Sequence, residues 1–209
     1  MGYRMLTVSR EFGSGGGRVA KIIAERLGWQ LLDSALIEAI ANTAHVDPNV
    51  VSHFDEHVES WLARMNRQAM RSTALAGGVV PEDTFTFDPD TMLALTRQII
   101  EQAAQDGNCV IVGRGAQCIL QSKPDVFHVF VYAPARDRVQ RLRTRLGPGV
   151  NVEQRMQAVD AERRHYIQKN FSEVWDHPHL YNLMISSHQD ENATANVILY
   201  AMTGQVPHA

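Results

Sequence analysis

The chain has 209 residues, with 20 Lys and Arg against 23 Asp and Glu and a formal net charge of −3. That balance gives no pull toward nucleic acid or an anionic membrane surface, and no stretch approaches the ~20 apolar residues of a membrane span. The length suits one large domain, or a core with a small insertion, while two cysteines, Cys109 and Cys118, make no disulfide framework and fit a reducing, cytoplasmic setting.

In chain order, "MLTVS" predicts a short strand, followed by the glycine-rich "FGSGGG" and a helix with Val19, Ile22, Ile23 and Leu27 at helical spacing, ended by Gly28. "WQLLD" predicts a second strand and "SALIEAIANTA" a helix with Ser34 as N-cap. Residues 47–71 read as weakly amphipathic helix, and "ALAGGVVPEDTFTFDPD" as a long loop. A helix is expected over Pro89–Asp106, then the buried strand "NCVIVG", the strand "VFHVFVYA", two basic helices over 135–147 and 151–171, the strand "YNLMISS" and a closing helix "NATANVILYAMTG". Five strands alternating with helices predict an α/β protein: a mainly parallel sheet with helices on both faces, its ligands beyond the carboxyl ends of the strands.

The glycine run lies at such an end. Gly13, Ser14, Gly15, Gly16 and Gly17 leave backbone amides free to turn inward as an anion nest, and the helix opening near Arg18 adds its positive end. The run is an incomplete G-x-x-x-x-G-K-[ST] pattern. With Gly15 as the second glycine, Arg10 replaces the first, Gly16 the lysine and Gly17 the Ser/Thr. Asp33 and Ser34 follow the second strand. Arg114 in "VIVGRGAQ" follows the buried third strand, where a guanidinium suits a bidentate phosphate or carboxylate contact. Arg138, Arg141 and Arg145 share one face of the first basic helix; Asp160, Arg163 and Arg164 lie one turn apart on the second. Arginines on paired helices over a phosphate site suit a kinase lid, although such charge is more often a solvated face. His53 and His57 stand at i, i+4, but Phe54 breaks the zinc-protease pattern, so no metal site is expected there.

"SREFGSGGGRVAKIIAERLGWQLLDSALI", "VIVGRGAQCIL" and "HVFVYAPARDRVQRL", followed by "DAERRHYIQKNF" and "YNLMIS", resemble the cytidylate kinase-like family of P-loop proteins. The resemblance implies a three-layer α/β/α P-loop kinase domain over 1–209, with a substrate-binding insertion at 43–95 and a lid at about 146–172. It implies transfer of the ATP γ-phosphoryl group, with Mg2+, to a nucleoside monophosphate of CMP type. Gly13 to Arg18 would then hold the triphosphate, Asp33, Ser34 and Arg114 the monophosphate, and Arg163 and Arg164 would close as lid arginines. Arg18, or Lys21 one turn into the helix, is expected to replace the missing lysine. A small-molecule nucleotide is the partner implied; the oligomeric state is not legible. Two other readings remain open: a nucleotide-binding regulator with little or no catalysis, favoured by Gly16, and a kinase for a different small acceptor.

Overall fold

In the computed structural model, residues 2–33, 89–188 and 190–204 are described. Ser34, His53, His57, the expected helices at 34–44 and 47–71, the loop before 89 and residues 43–88 of the expected insertion lie outside them. The chain divides into two compact units, 1–34 with 100–209, and 35–99.

Five strands are described: β1 (Met5–Arg10), β2 (Gln30–Leu32), β3 (Cys109–Val112), β4 (Val126–Tyr132) and β5 (Leu183–Ser186). They form one sheet in the order β2-β3-β1-β4-β5, every pair parallel. The apolar runs are the cause. β1, β3 and β4 are buried along almost their whole length, which only a sheet covered on both faces allows. The helices are α1 (Gly16–Leu27), α2 (Pro89–Asp106), α3 (Ala116–Ile119), α4 (Ala135–Leu146), α5 (Val152–Phe171) and α6 (Glu191–Thr203). α1 lays Val19, Ala20, Ile23 and Ala24 on the sheet beside Ala195, Ile198 and Leu199 of α6. Phe130, Ile167 and Trp175 form a second cluster, while Leu142, Val152 and Met156 form a third that takes in Phe12 from the glycine-rich turn. The turn is thereby packed against α4 and α5. The sequence reading missed the short α3 and the 3-10 turn Pro178–Leu180, each under two helical turns and too brief to show a period.

β4 carries a buried histidine. His128 Nδ1 lies 2.7 Å from Thr7 Oγ1 on β1. Burial pulls its pKa from 6.5 down to about 4, opposed by a hydrogen bond to the Leu120 backbone. Below the unfolded value the unfolded chain binds a proton that the folded chain refuses, so stability falls from about pH 6.5 and levels off near pH 4. Urea unfolding of the wild type should show a loss of about 3 kcal/mol over that window. His128→Asn should lack this component; an unchanged pH slope in the variant would place the titration elsewhere.

Candidate active site

β1 ends at Arg10 and turns through Glu11-Phe12-Gly13-Ser14-Gly15 into α1. Gly13 (φ +84°) and Gly15 (φ +82°) adopt the left-handed conformation, which costs other residues about 1–2 kcal/mol. At Gly13 a Cβ would also stand 2.8 Å from Leu142 Cδ1. The amides of Gly13, Gly15 and Gly17 have no backbone partner among the described residues. Side chains close two of the other long helices, Asn151 at α5 and Asp190 at α6, whereas Pro134 gives α4 no such cap. Gly15 provides no such cap to α1. The Gly13, Gly15 and Gly17 amides and the positive dipole end therefore stay open, as an anion site requires, while the Gly16 amide is taken by Ser14 and the Arg18 amide by the Gly15 carbonyl.

The base of the turn is stapled to the basic helices. Asp160 on α5 accepts the Phe12 amide at 2.8 Å and pairs with Arg138 on α4. Arg138 also reaches Glu11 Oε1 at 3.1 Å and the Phe12 carbonyl at 2.8 Å. Arg141 donates to the Ser14 carbonyl at 2.9 Å and the Ser187 carbonyl at 2.6 Å. Arg145 lies over the Phe12 ring, 4.9 Å from its centroid, and Arg163 donates to the Arg10 carbonyl at 2.7 Å. The shared face of Arg138, Arg141 and Arg145 thus turns onto the glycine-rich loop.

Two clefts open here. One, of about 620 Å³, lies over the glycine turn and is lined by Gly13, Gly15, Gly16, Gly17, Arg18, Arg141, Arg145 and Glu191. The other, of about 320 Å³, is lined by Ser9, Gly113, Arg114, Gly115, Gln117, Tyr166 and Trp175. Arg10 and Arg163 line both, so the clefts meet at these two residues. Burial and the neighbouring Arg163 cation pull the Arg10 pKa down to about 9; Asp33 opposes this and Arg114 adds to it. Burial also lowers Arg163. Cations crowded together in a half-buried cleft are stabilised by an anion between them.

The residues singled out in the sequence are placed unequally. Gly13, Gly15, Gly16 and Gly17 line the larger cleft, and Arg114, at φ +55°, lines the smaller. Ser14 is buried, its hydroxyl accepting the Gly16 amide at 3.3 Å. Asp33 is exposed at the end of β2, close enough to Arg10 to act on its charge. Arg18 lies at the rim with its side chain 80% exposed, 3.3 Å from Glu191. Lys21 is also in solvent, 3.8 Å from Glu25, and lines neither cleft. Arg164 stacks on Trp175, 5.6 Å from its centroid, in a separate hollow with Tyr132 and Asp176. Arg10 was missed as a site residue, while Arg141 was singled out with Arg138 and Arg145 as a shared helix face and lines the larger cleft. The position of Arg10, last in β1 at the first-glycine position of the loop, was the available signal.

For magnesium, the described residues contain no group of three metal-ligating side chains, and Gly17 and Arg18 stand where a loop hydroxyl would bind it. Among the described residues the donor set builds no protein-held Mg2+ site.

A parallel sheet whose first strand passes through this turn into an uncapped helix defines the class as a P-loop kinase fold. Residues 5–189 match the cytidylate kinase-like family, and the chain belongs to it. Over 73 residues it is 30% identical to the cytidylate kinase of Shewanella sediminis (strain HAW-EB3), a match covering 35% of this chain and 32% of that relative's length. An uncharacterized protein from Eubacterium ventriosum ATCC 27560 has a similar structure, with a TM-score of 0.69 at 19% identity over 96% of this chain and 99% of that one. Shikimate kinase from Bacteroides thetaiotaomicron shares the fold with a TM-score of 0.52 at 13% identity, over 96% and 98% of the two chains.

Proposed function

We propose that the protein is a phosphotransferase that moves the γ-phosphoryl group of ATP to a small phosphorylated acceptor, a nucleoside monophosphate of CMP type. The observation that carries this reading is the meeting of two clefts at Arg10 and Arg163. In this reading the larger cleft takes the triphosphate on the Gly13, Gly15 and Gly17 amides. The smaller takes the acceptor beside Arg114, with Asp33 near its rim. An acceptor oxygen forms a bond to the γ-phosphorus as the bond to the β,γ-bridging oxygen breaks, and ADP leaves. Such a transfer needs mainly positioning and charge neutralisation, which guanidiniums and amides provide. Mg2+ would arrive on the nucleotide phosphates. The CMP preference is supported by the family and by the short match to the Shewanella enzyme. The proposed unit is one kinase-like domain with its substrate insertion at 43–95 and α5 in the lid region.

The missing loop lysine favours a second reading, a nucleotide-binding regulator with little turnover. An ADP-release assay with ATP, Mg2+ and a panel of nucleoside monophosphates separates the two. Acceptor-dependent ADP formation, greatest with CMP, is expected. ATP binding without ADP formation from any acceptor would favour the regulator.

A further inference from the structure

We infer that Arg10 supplies the phosphate-binding cation that the loop lacks, and that position 16 is glycine to make room for it. The inference rests on the phosphotransferase reading for the identity of the ligand; its own observations are steric.

A Cβ placed on Gly16 would stand 2.6 Å from Arg10 Cβ, 3.2 Å from Arg10 Cγ and 3.2 Å from Val131 Cβ. Real Cβ atoms do not approach a neighbouring side-chain stem that closely, and the stem cannot swing aside as a chain tip can, because its first atoms are fixed by the β1 backbone. Arginine at 10 and lysine at 16 are therefore mutually exclusive in this loop. At its far end the Arg10 guanidinium packs on Gly113, where a Cβ would overlap Nη1. Arg10 thus runs between two glycines, from the start of α1 to the end of β3. The two departures from the Walker pattern, glycine to arginine at the first position and lysine to glycine at the seventh, are halves of one exchange.

The other cations are less suited. Arg18 and Lys21 lie in solvent with their own carboxylates. Arg138 and Arg141 are held by carboxylates and carbonyls of the protein. Arg10 lines both clefts, its stem beside Gly16 and its guanidinium beside Gly113, and that guanidinium makes no hydrogen bond among the described residues. Burial and the Arg163 cation disfavour its charge, Arg114 adds to this and Asp33 only partly opposes it. A phosphate chain laid on the glycine turn would relieve that crowding. It would also receive two parallel N–H donors, where a lysine gives a point charge.

The test is calorimetric titration of inorganic tripolyphosphate and of ATP into wild type, R10M, R10Q, R10K, G16K and R10G/G16K, with thermal melting to confirm folding. R10M should bind both probes about 10- to 100-fold more weakly, the range for a hydrogen bond to a charged group. R10K should fall between R10M and wild type. G16K should weaken binding although it adds a cation, and R10G/G16K should recover most of the loss. Wild-type affinity in R10M, or in the polar but uncharged R10Q should R10M not fold, overturns the inference. So does a double variant no better than G16K. If wild type binds tripolyphosphate through Arg10 but transfers no phosphoryl group, the enzymatic reading fails and this assignment stands. If R10M binds normally and wild type turns over, the reverse holds.

Discussion

Replacing Asp160 by alanine is expected to destabilise the protein by about 3–5 kcal/mol, the cost of removing one partner of a buried ion pair. Asp160 is 3% exposed, and its carboxylate serves the Phe12 amide, Arg138 and, at 3.5 Å, Arg163. Its loss leaves Arg138, with a side chain 8% exposed, only Glu11 as a charged partner among the described residues. It also frees the Phe12 amide at the base of the glycine turn, so phosphate affinity should fall with stability. Asp160→Asn keeps an acceptor oxygen and should cost less. Urea unfolding decides it: a loss below about 1 kcal/mol for the alanine variant would mean that the contact is no better than a surface pair.

Arg163→Met should lower turnover by about 100- to 1000-fold, as removal of one preorganised donor to developing charge does. Arg163 projects from α5 to the junction of the two clefts, where it holds the Arg10 carbonyl. Its side chain is 24% exposed, so the methionine variant should fold. Affinity for each ligand alone should change less than turnover, because the guanidinium stands between the sites. A fall below about tenfold, well short of the effect of a preorganised donor, would limit Arg163 to a structural contact of α5.

The fold was legible because burial on both sheet faces writes itself as continuous apolar runs. β1, β3 and β4 lie where "MLTVS", "NCVIVG" and "VFHVFVYA" predict, and α1 ends at Gly28 as expected. The glycine turn was legible for the same local reason, since its backbone needs positive φ. The side-chain cation was not. Arg18 was favoured for its nearness in sequence. Yet α1 buries Val19, Ala20, Ile23 and Ala24, and on a helical wheel residue 18 faces away from that stripe. That signal was present and outweighed by proximity. Arg10 needed more than periodicity: its significance lies in its passage between Gly16 and Gly113, which are far apart in the chain and adjacent only once β1 pairs with β3. Arg164 was grouped with Arg163 by adjacency, but successive helix residues diverge by about 100° and it faces Trp175 instead.

In the proposed reaction donor and acceptor occupy two clefts that meet at Arg10 and Arg163. Titration with a bisubstrate analogue, adenosine and cytidine joined through a phosphate chain, tests it most directly. Binding at least about 100-fold tighter than ATP or CMP alone is expected, because linking two occupied sites makes the second contact intramolecular. Affinity equal to that of ATP alone, with no competition against CMP, would contradict the account.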